Sequence, residues 1–383
     1  MADENTSVVL DRVNEPPAQT WNRLRANDIT LTVPRISRKG DVYFALPQLF
    51  SRVECGMGEK VTNWVTSQAA DARYVEVPAH TVREEPIVVA IDTDKGEVAD
   101  TGVMVRAGAT VSIVVAAGGT GADNTTSASL LRVVAEEGAT VTITEVVGVG
   151  SSQQHLESVG VDADDDARVE VRQYALGGGT VAFGTAVSLS GDRARTNIGL
   201  RYFADGKDRL DVNHVVRQRG KNTIAHVREN GILDDAAEKA LRATIDLVHG
   251  ARGSKGDEAE NVLVFGDDVV NKTVPVILCD EDDVQGNHGA TIGTVGPEQM
   301  DYLADRGLSR KDAEALFVRA LFEDAIINAP EAHAHDVAVR QAERVLGAEV
   351  AHDFDASVQL AENETDFCPA SKGIRRGYAT SAV

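Results

Sequence analysis

The chain repeats the stretch Ala107-Gly108-Ala109-Thr110-Val111-Ser112-Ile113 thirty residues later as Glu137-Gly138-Ala139-Thr140-Val141-Thr142-Ile143. A degenerate third copy, Asp166-Ala167-Arg168-Val169-Glu170-Val171, follows at about the same interval. Each copy joins a tight turn to a strand of alternating polarity, and one such strand cannot bury its apolar face alone. Stacked coils bury these faces against one another, so the repeat predicts a mainly β fold, a parallel β-helix (solenoid). A β-sandwich would also give short strands separated by turns.

The texture of the sequence divides the chain into four regions. Residues 1–72 are predicted to form a small, partly helical N-terminal region, and residues 73–295 the β-helix core. Residues 296–352 are predicted to form a helical C-terminal region, and residues 353–383 a polar tail that is consistent with disorder. Trp21 and Trp64 of the first region are interpreted as core side chains.

The C-terminal region carries the signals of helices. Pro297 suits a helix start, and Ser309 with Asp312 has the spacing of a capping box. The next residues follow the i, i+3, i+4, i+7, i+8 pattern of a half-buried helix: Ala313, Leu316, Phe317, Ala320 and Leu321. A second helix is predicted from about residue 332 to 349.

The net charge of the chain restricts the kinds of partner that it is expected to bind. The chain has 60 acidic and 38 basic residues, a formal net charge of -22. Such a surface repels nucleic acid and anionic membranes, so neither is expected as a partner. No apolar run reaches the ~18 residues of a membrane span, and no secretory signal is recognised. These features predict a cytoplasmic protein.

One histidine lies in an acidic, glycine-containing segment, Asp282-Asp283-Val284-Gln285-Gly286-Asn287-His288-Gly289, which is interpreted as a turn. A neutral imidazole is a good ligand for iron and titrates near neutrality, so His288 is a candidate metal ligand. Cys279 ends the preceding apolar run and is predicted to be buried and unreactive. Asp282 and Asp283 are weaker candidates, because a solvated acidic turn is the simpler interpretation.

An ordered set of residues around this segment resembles the SufB/SufD family of the SUF iron–sulfur cluster assembly system, and SufD more than SufB. The matching residues fall in the family's order and spacing: Val262-Leu263-Val264, Pro275, Asp282-Asp283-Val284, His288-Gly289-Ala290-Thr291, Gly293, Tyr302-Leu303, Arg306-Gly307 and Ala313. Gly289 stands where SufB carries an acidic residue, and Gly286 stands where many SufD sequences carry a cysteine.

The resemblance implies a fold and a set of partners. The family fold is a right-handed parallel β-helix flanked by helical N- and C-terminal regions. The resemblance further implies a non-catalytic scaffold that pairs with a SufB-like subunit, or with a second copy of itself, and contributes His288 to a transient Fe–S cluster or iron shared with the partner. A SufC-like ATPase would dock on residues from about 297 to 350, including Tyr302, Leu303, Arg306, Leu316, Phe317 and Leu321. A flavin is implied by the family alone.

The number of cysteines is consistent with a cluster whose ligands come from this chain and a partner. A cluster is normally held by four ligands, mostly thiolates. This chain has three scattered cysteines, so a partner must supply further ligands. Cys55 and Cys368 are interpreted as incidental. The runs Gly118-Gly119-Thr120-Gly121 and Gly177-Gly178-Gly179-Thr180 lack the Gly-Lys-Ser/Thr ending of a phosphate loop.

Two functions from other classes fit a β-helix. One is a carbohydrate-active enzyme of the polysaccharide lyase kind, although aromatic residues make up only 4% of the chain. The other is a stand-alone structural or iron-binding β-helix that forms a homodimer.

Overall fold

The computed structural model describes residues 6–18, 26–35, 44–121 and 124–348. Sixteen strands wind between two parallel sheets of eight, with the strand orders β4-β6-β8-β10-β12-β14-β16-β18 and β3-β5-β7-β9-β11-β13-β15-β17. Each coil contributes one strand to each sheet, which confirms the predicted β-helix. The β-sandwich alternative is wrong, because neighbouring strands in both sheets are parallel.

The strands of the solenoid have these bounds: β3 Ala72–Val77, β4 Ile87–Asp92, β5 Val98–Val105, β6 Thr110–Gly118, β7 Thr126–Ala135, β8 Thr140–Gly148, β9 Gln154–Ala163, β10 Arg168–Ala175, β11 Thr180–Leu189, β12 Arg195–Ala204, β13 Arg209–Gln218, β14 Ile224–Leu233, β15 Glu238–Leu247, β16 Lys255–Val264, β17 Val270–Cys279 and β18 Gln285–Gly293.

The sequence repeat corresponds to stacked corners of this solenoid. Gly108, Gly138 and Asp166 occupy the same place in successive coils and all have a left-handed backbone, with φ of 65°, 68° and 56°. The amide of Gly108 donates to the Glu137 carbonyl at 2.8 Å, and that of Gly138 donates to Asp165 at 2.8 Å. Glycine adopts this conformation without strain and aspartate is among the few residues that tolerate it, so the third copy can diverge.

Small aliphatic side chains fill the space between the two sheets. Val111 and Val141 are register partners on β6 and β8, and Val169 on β10 continues the row. All three belong to one continuous buried cluster that runs through the solenoid. With few aromatic residues available, stacked Val, Ile, Leu and Ala supply most of the apolar burial that stabilises the coils.

The N-terminal region covers the outer face of the β3–β17 sheet. It contains the antiparallel strands β1 (Ser7–Val13) and β2 (Ile29–Pro34), a 3-10 helix (Gln48–Arg52) and helix α1 (Glu59–Gln68). The predicted core role of Trp64 is confirmed: the side chain is buried and its Nε1 donates to the Pro34 carbonyl at 3.0 Å. Trp21 lies outside the described residues.

Three helices follow the solenoid: α2 (Pro297–Ala304), α3 (Arg310–Asn328) and α4 (Ala332–Leu346). The capping box at Ser309 and Asp312 is confirmed, with both reciprocal hydrogen bonds formed. Helices α3 and α4 pack on the outer face of the β4–β18 sheet. None of the helices in the described ranges combines the length and apolar character that a membrane span requires. The predicted tail, residues 353–383, lies outside the described part of the chain.

Candidate functional site

His288 lies on the last coil of the solenoid. It belongs to strand β18, so the expectation that it sits in a turn is wrong. Its register partner on β16 is Glu258, a buried residue that faces the interior. Parallel neighbours in register point to the same side, so His288 also faces inward. Because β18 ends the sheet, no further strand of the described chain stacks on it, and every residue of β18 is exposed.

The other predicted iron ligands are distributed around the same coil. Cys279 ends strand β17 in the opposite sheet, and Asp282 and Asp283 lie in the connection to β18. The prediction of a buried Cys279 is wrong: the thiol is exposed and lies 3.3 Å from the Glu281 carbonyl. Its apolar run resembles those of interior coils, but no following coil in the described part of the chain covers it.

The acidic residues of this connection are solvated. Asp283 faces Arg252 at 3.7 Å, and both side chains are largely exposed. The Asp283 carbonyl accepts from the Gly253 amide at 2.6 Å, which ties the connection to the preceding coil. Within the described ranges, no three His, Cys, Asp or Glu side chains are placed to hold a metal ion.

Glu258 lies directly beneath His288 in the stack. The residue is 2% exposed. Neither carboxylate oxygen has a hydrogen-bond partner among the described residues. Burial, together with the negative charges of Glu229 and Glu260, raises the pKa of Glu258 to about 8. A buried carboxylate without a partner is costly, because it has lost its hydration and gained nothing in return.

The neighbouring carboxylate, Glu260, is fully satisfied. It accepts from the Tyr202 hydroxyl at 2.8 Å and from the Thr273 hydroxyl at 2.6 Å. It also pairs with the ammonium of Lys239, whose side chain is completely buried. Burial lowers the pKa of Lys239, and the contact with Glu260 opposes that shift. The local buried cation is thus engaged by Glu260.

A hydrogen-bonded row of polar side chains continues into the solenoid interior. His214 lies 3.0 Å from Glu229 through Nδ1 and 2.8 Å from the Gln173 side-chain oxygen through Nε2. The Gln173 amide donates to Glu145 at 2.7 Å and to Thr185 at 2.9 Å. Since that amide nitrogen donates, its oxygen accepts from Nε2–H of His214, and Nδ1 is left as an acceptor for a protonated Glu229.

The pKa values agree with these roles. Burial lowers the pKa of His214 to about 4, which keeps the imidazole neutral. Burial and the charge of Glu260 raise the pKa of Glu229 well above the ordinary value. The imidazole is therefore uncharged near neutral pH, and the dry interior favours the uncharged form of Glu229 as well.

A second segment of the row lies further from the last coil. His155 is 3.1 Å from Glu157 through Nε2 and 2.9 Å from the Ser127 hydroxyl through Nδ1, and all three side chains are buried. Burial raises the pKa of Glu157 to about 8 and lowers that of His155 to about 3.

This interior row was not predicted from the sequence. The pattern that could have predicted it is a polar residue at one of the alternate, inward-facing positions of a strand that is otherwise apolar. In β8, for example, Glu145 follows Val141 and Ile143 at alternate positions.

The glycine runs do not form phosphate loops. Gly177, Gly178 and Gly179 all have a left-handed backbone, with φ of 83°, 98° and 52°. The Gly178 amide donates to the buried Asp208 carboxylate at 2.7 Å. This loop therefore satisfies an anion of the protein itself, in agreement with the sequence analysis.

Helix α3 has apolar residues on two sides. The side that packs on the sheet consists of Ala313, Val318, Phe322, Ala325 and Ile326. Phe322 meets Phe203 of β12 edge-to-face, with ring centroids 5.6 Å apart. The predicted half-buried stripe is wrong in part: Ala313 is buried and Leu321 half-buried, but Leu316, Phe317 and Ala320 are exposed. The 3.6-residue period permits both stripes, and contact with the sheet selects the one that is buried.

Helices α2 and α3 expose most of the residues that were predicted to bind an ATPase. Tyr302 is 56% exposed, Leu316 45% and Phe317 38%. Arg306 stacks on the Tyr302 ring, 3.4 Å from its centroid, and Leu303 is half-buried. A shallow groove of about 500 Å³ lies between α3 and the sheet, lined by residues that include Ile232, Leu263, Phe317 and Leu321.

Cys55 is part of the core under the N-terminal region, contrary to the expectation of an incidental thiol near a flexible segment. It is 8% exposed, and burial raises its pKa to about 11. Such a thiol is a poor nucleophile and metal ligand at neutral pH. Cys368 lies outside the described residues.

Comparison with known proteins places the chain in context. A family model described as SUF system FeS cluster assembly, SufBD core domain, matches residues 88–321, more than half of the chain. The chain is 25% identical over 204 residues to the iron-sulfur cluster assembly protein SufD of Bacillus subtilis, covering 52% of this chain and 46% of that protein. It is 24% identical over 156 residues to Escherichia coli SufD, covering 41% and 37%.

A SufBD family protein of Mycobacterium tuberculosis is 23% identical over 195 residues, which cover 51% of this chain and 23% of that protein. The chain therefore aligns with about half or less of the length of these curated relatives.

Proposed function

The chain belongs to the SUF-system FeS cluster assembly family defined by the SufBD core domain, and from that membership we propose that it is a non-catalytic scaffold subunit of the SufD type. The family resemblance found in the sequence is confirmed, and the names of the relatives support a role in Fe–S cluster assembly. The observation that carries the finer proposal is the open last coil, which exposes His288 on its inner face. A nascent cluster must be reached by other proteins and later released, and an open coil end suits both steps.

The last coil is also the proposed contact with a second scaffold subunit. In the described chain, β17 and β18 each pair on one side only. Their free edges offer backbone N–H and C=O groups to another chain. The ligand set is incomplete, so the cluster or iron is proposed to be shared with a SufB-like subunit that supplies thiolates, or with a second copy of this chain.

The exposed side of α2 and α3 is the proposed docking surface for a SufC-like ATPase. Leu316 and Phe317 expose apolar area on a helix whose other side is anchored in the sheet. A partner that moves α3 therefore acts on the strands to which α3 is packed. In this proposal, movement of the ATPase changes the interface between the scaffold subunits near His288. The complex is proposed to work in the cytoplasm. A flavin stays a prediction from the family resemblance alone.

The experiment is an anaerobic pull-down of the tagged full chain from its native host, with mass spectrometry and with iron and sulfide analysis. Recovery of a SufC-like ATPase and a SufB-like subunit is the expected result. Phe317→Ala should reduce ATPase recovery, whereas Val9→Ala should not, because Val9 is 61% exposed in the N-terminal region. A metal-free homomer without an ATPase would refute the scaffold assignment and favour the homodimer alternative.

The role of His288 is tested in the same complex. His288→Ala should leave the fold and ATPase recovery unchanged, because the side chain is exposed, but should impair cluster maturation. His226→Ala is the matched control, since His226 is an exposed histidine on the outer face of β14. Normal maturation in His288→Ala would remove this residue from the mechanism.

A further inference from the structure

Glu258 is a buried carboxylate on β16, the strand next to β18 at the open end of the solenoid, and its environment is unusual. Both of its oxygens are shielded from solvent, and neither has a hydrogen-bond partner in the described chain. Native proteins pair nearly all of their buried polar groups, and an unpaired buried group often marks a missing ion or a functional role. Glu258 therefore faces a position that an additional group could occupy.

The surrounding residues do not fill that position. Lys239 is the buried cation of this region, and its ammonium pairs with Glu260 and lies 3.1 Å from the Thr273 hydroxyl. Tyr202 also donates to Glu260. Arg228 pairs with Asp257 on the outer face of the sheet. The ordered hydrogen bonds of the cluster are thus directed to other carboxylates.

The next coil places an imidazole beside this carboxylate. Glu258 and His288 are register partners on adjacent parallel strands, which are separated by about 4.8 Å. A Cβ added at Gly286, two residues before His288, would lie 3.1 Å from the interior side chain of Ile277. This contact confirms that Gly286 and His288, which lie on the same side of β18, face the interior of the solenoid. The carboxylate and the imidazole therefore project into the same space at the solenoid end.

We propose that Glu258 and His288 together bind a ferrous ion at the inner face of the last coil. A carboxylate oxygen and an imidazole nitrogen are both suitable ligands for Fe(II), and the cation would neutralise the buried Glu258 carboxylate. Water or a partner subunit supplies the remaining ligands, in agreement with the lack of a three-residue site within the described ranges. This inference rests on the proposed function and names the second residue of the iron site.

The test is anaerobic calorimetric titration of the purified full chain with Fe(II), without partners. Glu258→Gln and His288→Ala should each weaken binding at least about tenfold, as expected when a ligand is removed. The double variant should bind more weakly than either single variant, because it removes both protein ligands of the site. Glu258→Asp keeps the charge and should retain more affinity than Glu258→Gln. His226→Ala, which alters the outer-face histidine 3.8 Å from Asp257, should bind as the wild type does.

Folding is checked for every variant by its melting temperature. If Glu258→Gln unfolds, Glu258→Asp decides the result, because its shorter side chain withdraws the carboxylate from the ion and should also bind Fe(II) more weakly than the wild type does. The inference is overturned if the wild-type chain binds no Fe(II). It is also overturned if a folded variant of Glu258 binds Fe(II) as tightly as the wild type does. That outcome together with recovery of the ATPase would leave the scaffold function standing. Iron binding through both residues without recovery of SUF partners would support this site and refute the proposed function.

Discussion

Glu157→Gln should weaken the dependence of the free energy of unfolding on pH, because it removes a group that binds an extra proton in the folded state. Burial raises the pKa of Glu157 to about 8 in the folded protein, whereas a glutamate in an unfolded chain titrates near ~4.3. Between these values the folded state holds one proton more than the unfolded state. The stability from this group is therefore fully present below the unfolded pKa and is lost as the pH rises through about 8.

The magnitude follows from proton linkage. Within this window one bound proton changes the free energy of unfolding by about 1.4 kcal/mol per pH unit. From about pH 5.5 to about pH 7.5, the wild type should lose roughly 2.7 kcal/mol more than Glu157→Gln. Glutamine is neutral and keeps an oxygen that can accept from His155. Buried carboxyl groups that do not interact with Glu157, such as Glu229, contribute to both proteins and cancel in the difference. Glu145 is the exception, because Glu157 is one cause of its raised pKa and its own contribution changes in the variant.

The assay is urea unfolding followed by circular dichroism at a series of pH values. The slope of unfolding free energy against pH is compared between the wild type and the variant. Glu170→Gln is the matched control because Glu170 lies on β10 with a partly exposed side chain paired to Arg172, and it should keep the wild-type slope. A Glu157→Gln variant with the wild-type slope would show that this carboxyl does not bind the extra proton.

Three further predictions concern packing and accessibility. Phe322→Ala should lower the free energy of unfolding by about 3–5 kcal/mol, measured with urea, because the ring is fully buried between α3 and the sheet. Cys279 should react with a maleimide in the native protein, whereas Cys55, buried with its pKa raised to about 11, should react only after unfolding, as mass spectrometry of labelled peptides would show. Gly178→Ala should destabilise the protein by about 3 kcal/mol or more, because φ is +98° and a Cβ would lie 1.7 Å from the Val149 carbonyl oxygen.

Each of these predictions has a control. Phe317→Ala changes the same residue type on the exposed side of α3 and should cost much less than Phe322→Ala; equal losses would contradict the assignment of the buried side. Cys368→Ser provides a background in which Cys279 and Cys55 are compared alone, and equal labelling rates would refute the burial difference. Gly289→Ala should be neutral, since a Cβ there meets nothing within 4 Å. A Gly178→Ala variant as stable as Gly289→Ala would contradict the described loop.

Part of the candidate site could be recognised without coordinates. His288 was identified by the order of neighbouring residues, and Ser309 with Asp312 by a local spacing that needs no distant contact. Cys279 was misjudged because its apolar neighbours resemble those of interior coils. Whether such a strand is covered depends on the presence of a following coil, and local polarity does not report that. The buried side of α3 was misjudged for a related reason, since two apolar stripes fit one helix.

The repeat in the sequence is enough to predict the solenoid, because Gly108, Gly138 and Asp166 recur at corners that need a left-handed backbone and are followed by strands of alternating polarity. Such information is local and repeats along the chain. Only the tertiary structure decided which polar residues meet inside it. Glu258 and His288 are thirty residues apart and become neighbours because one full coil separates them. The partner of each buried group is set by stacking in register, so its charge state and chemistry emerge only when the coils are assembled.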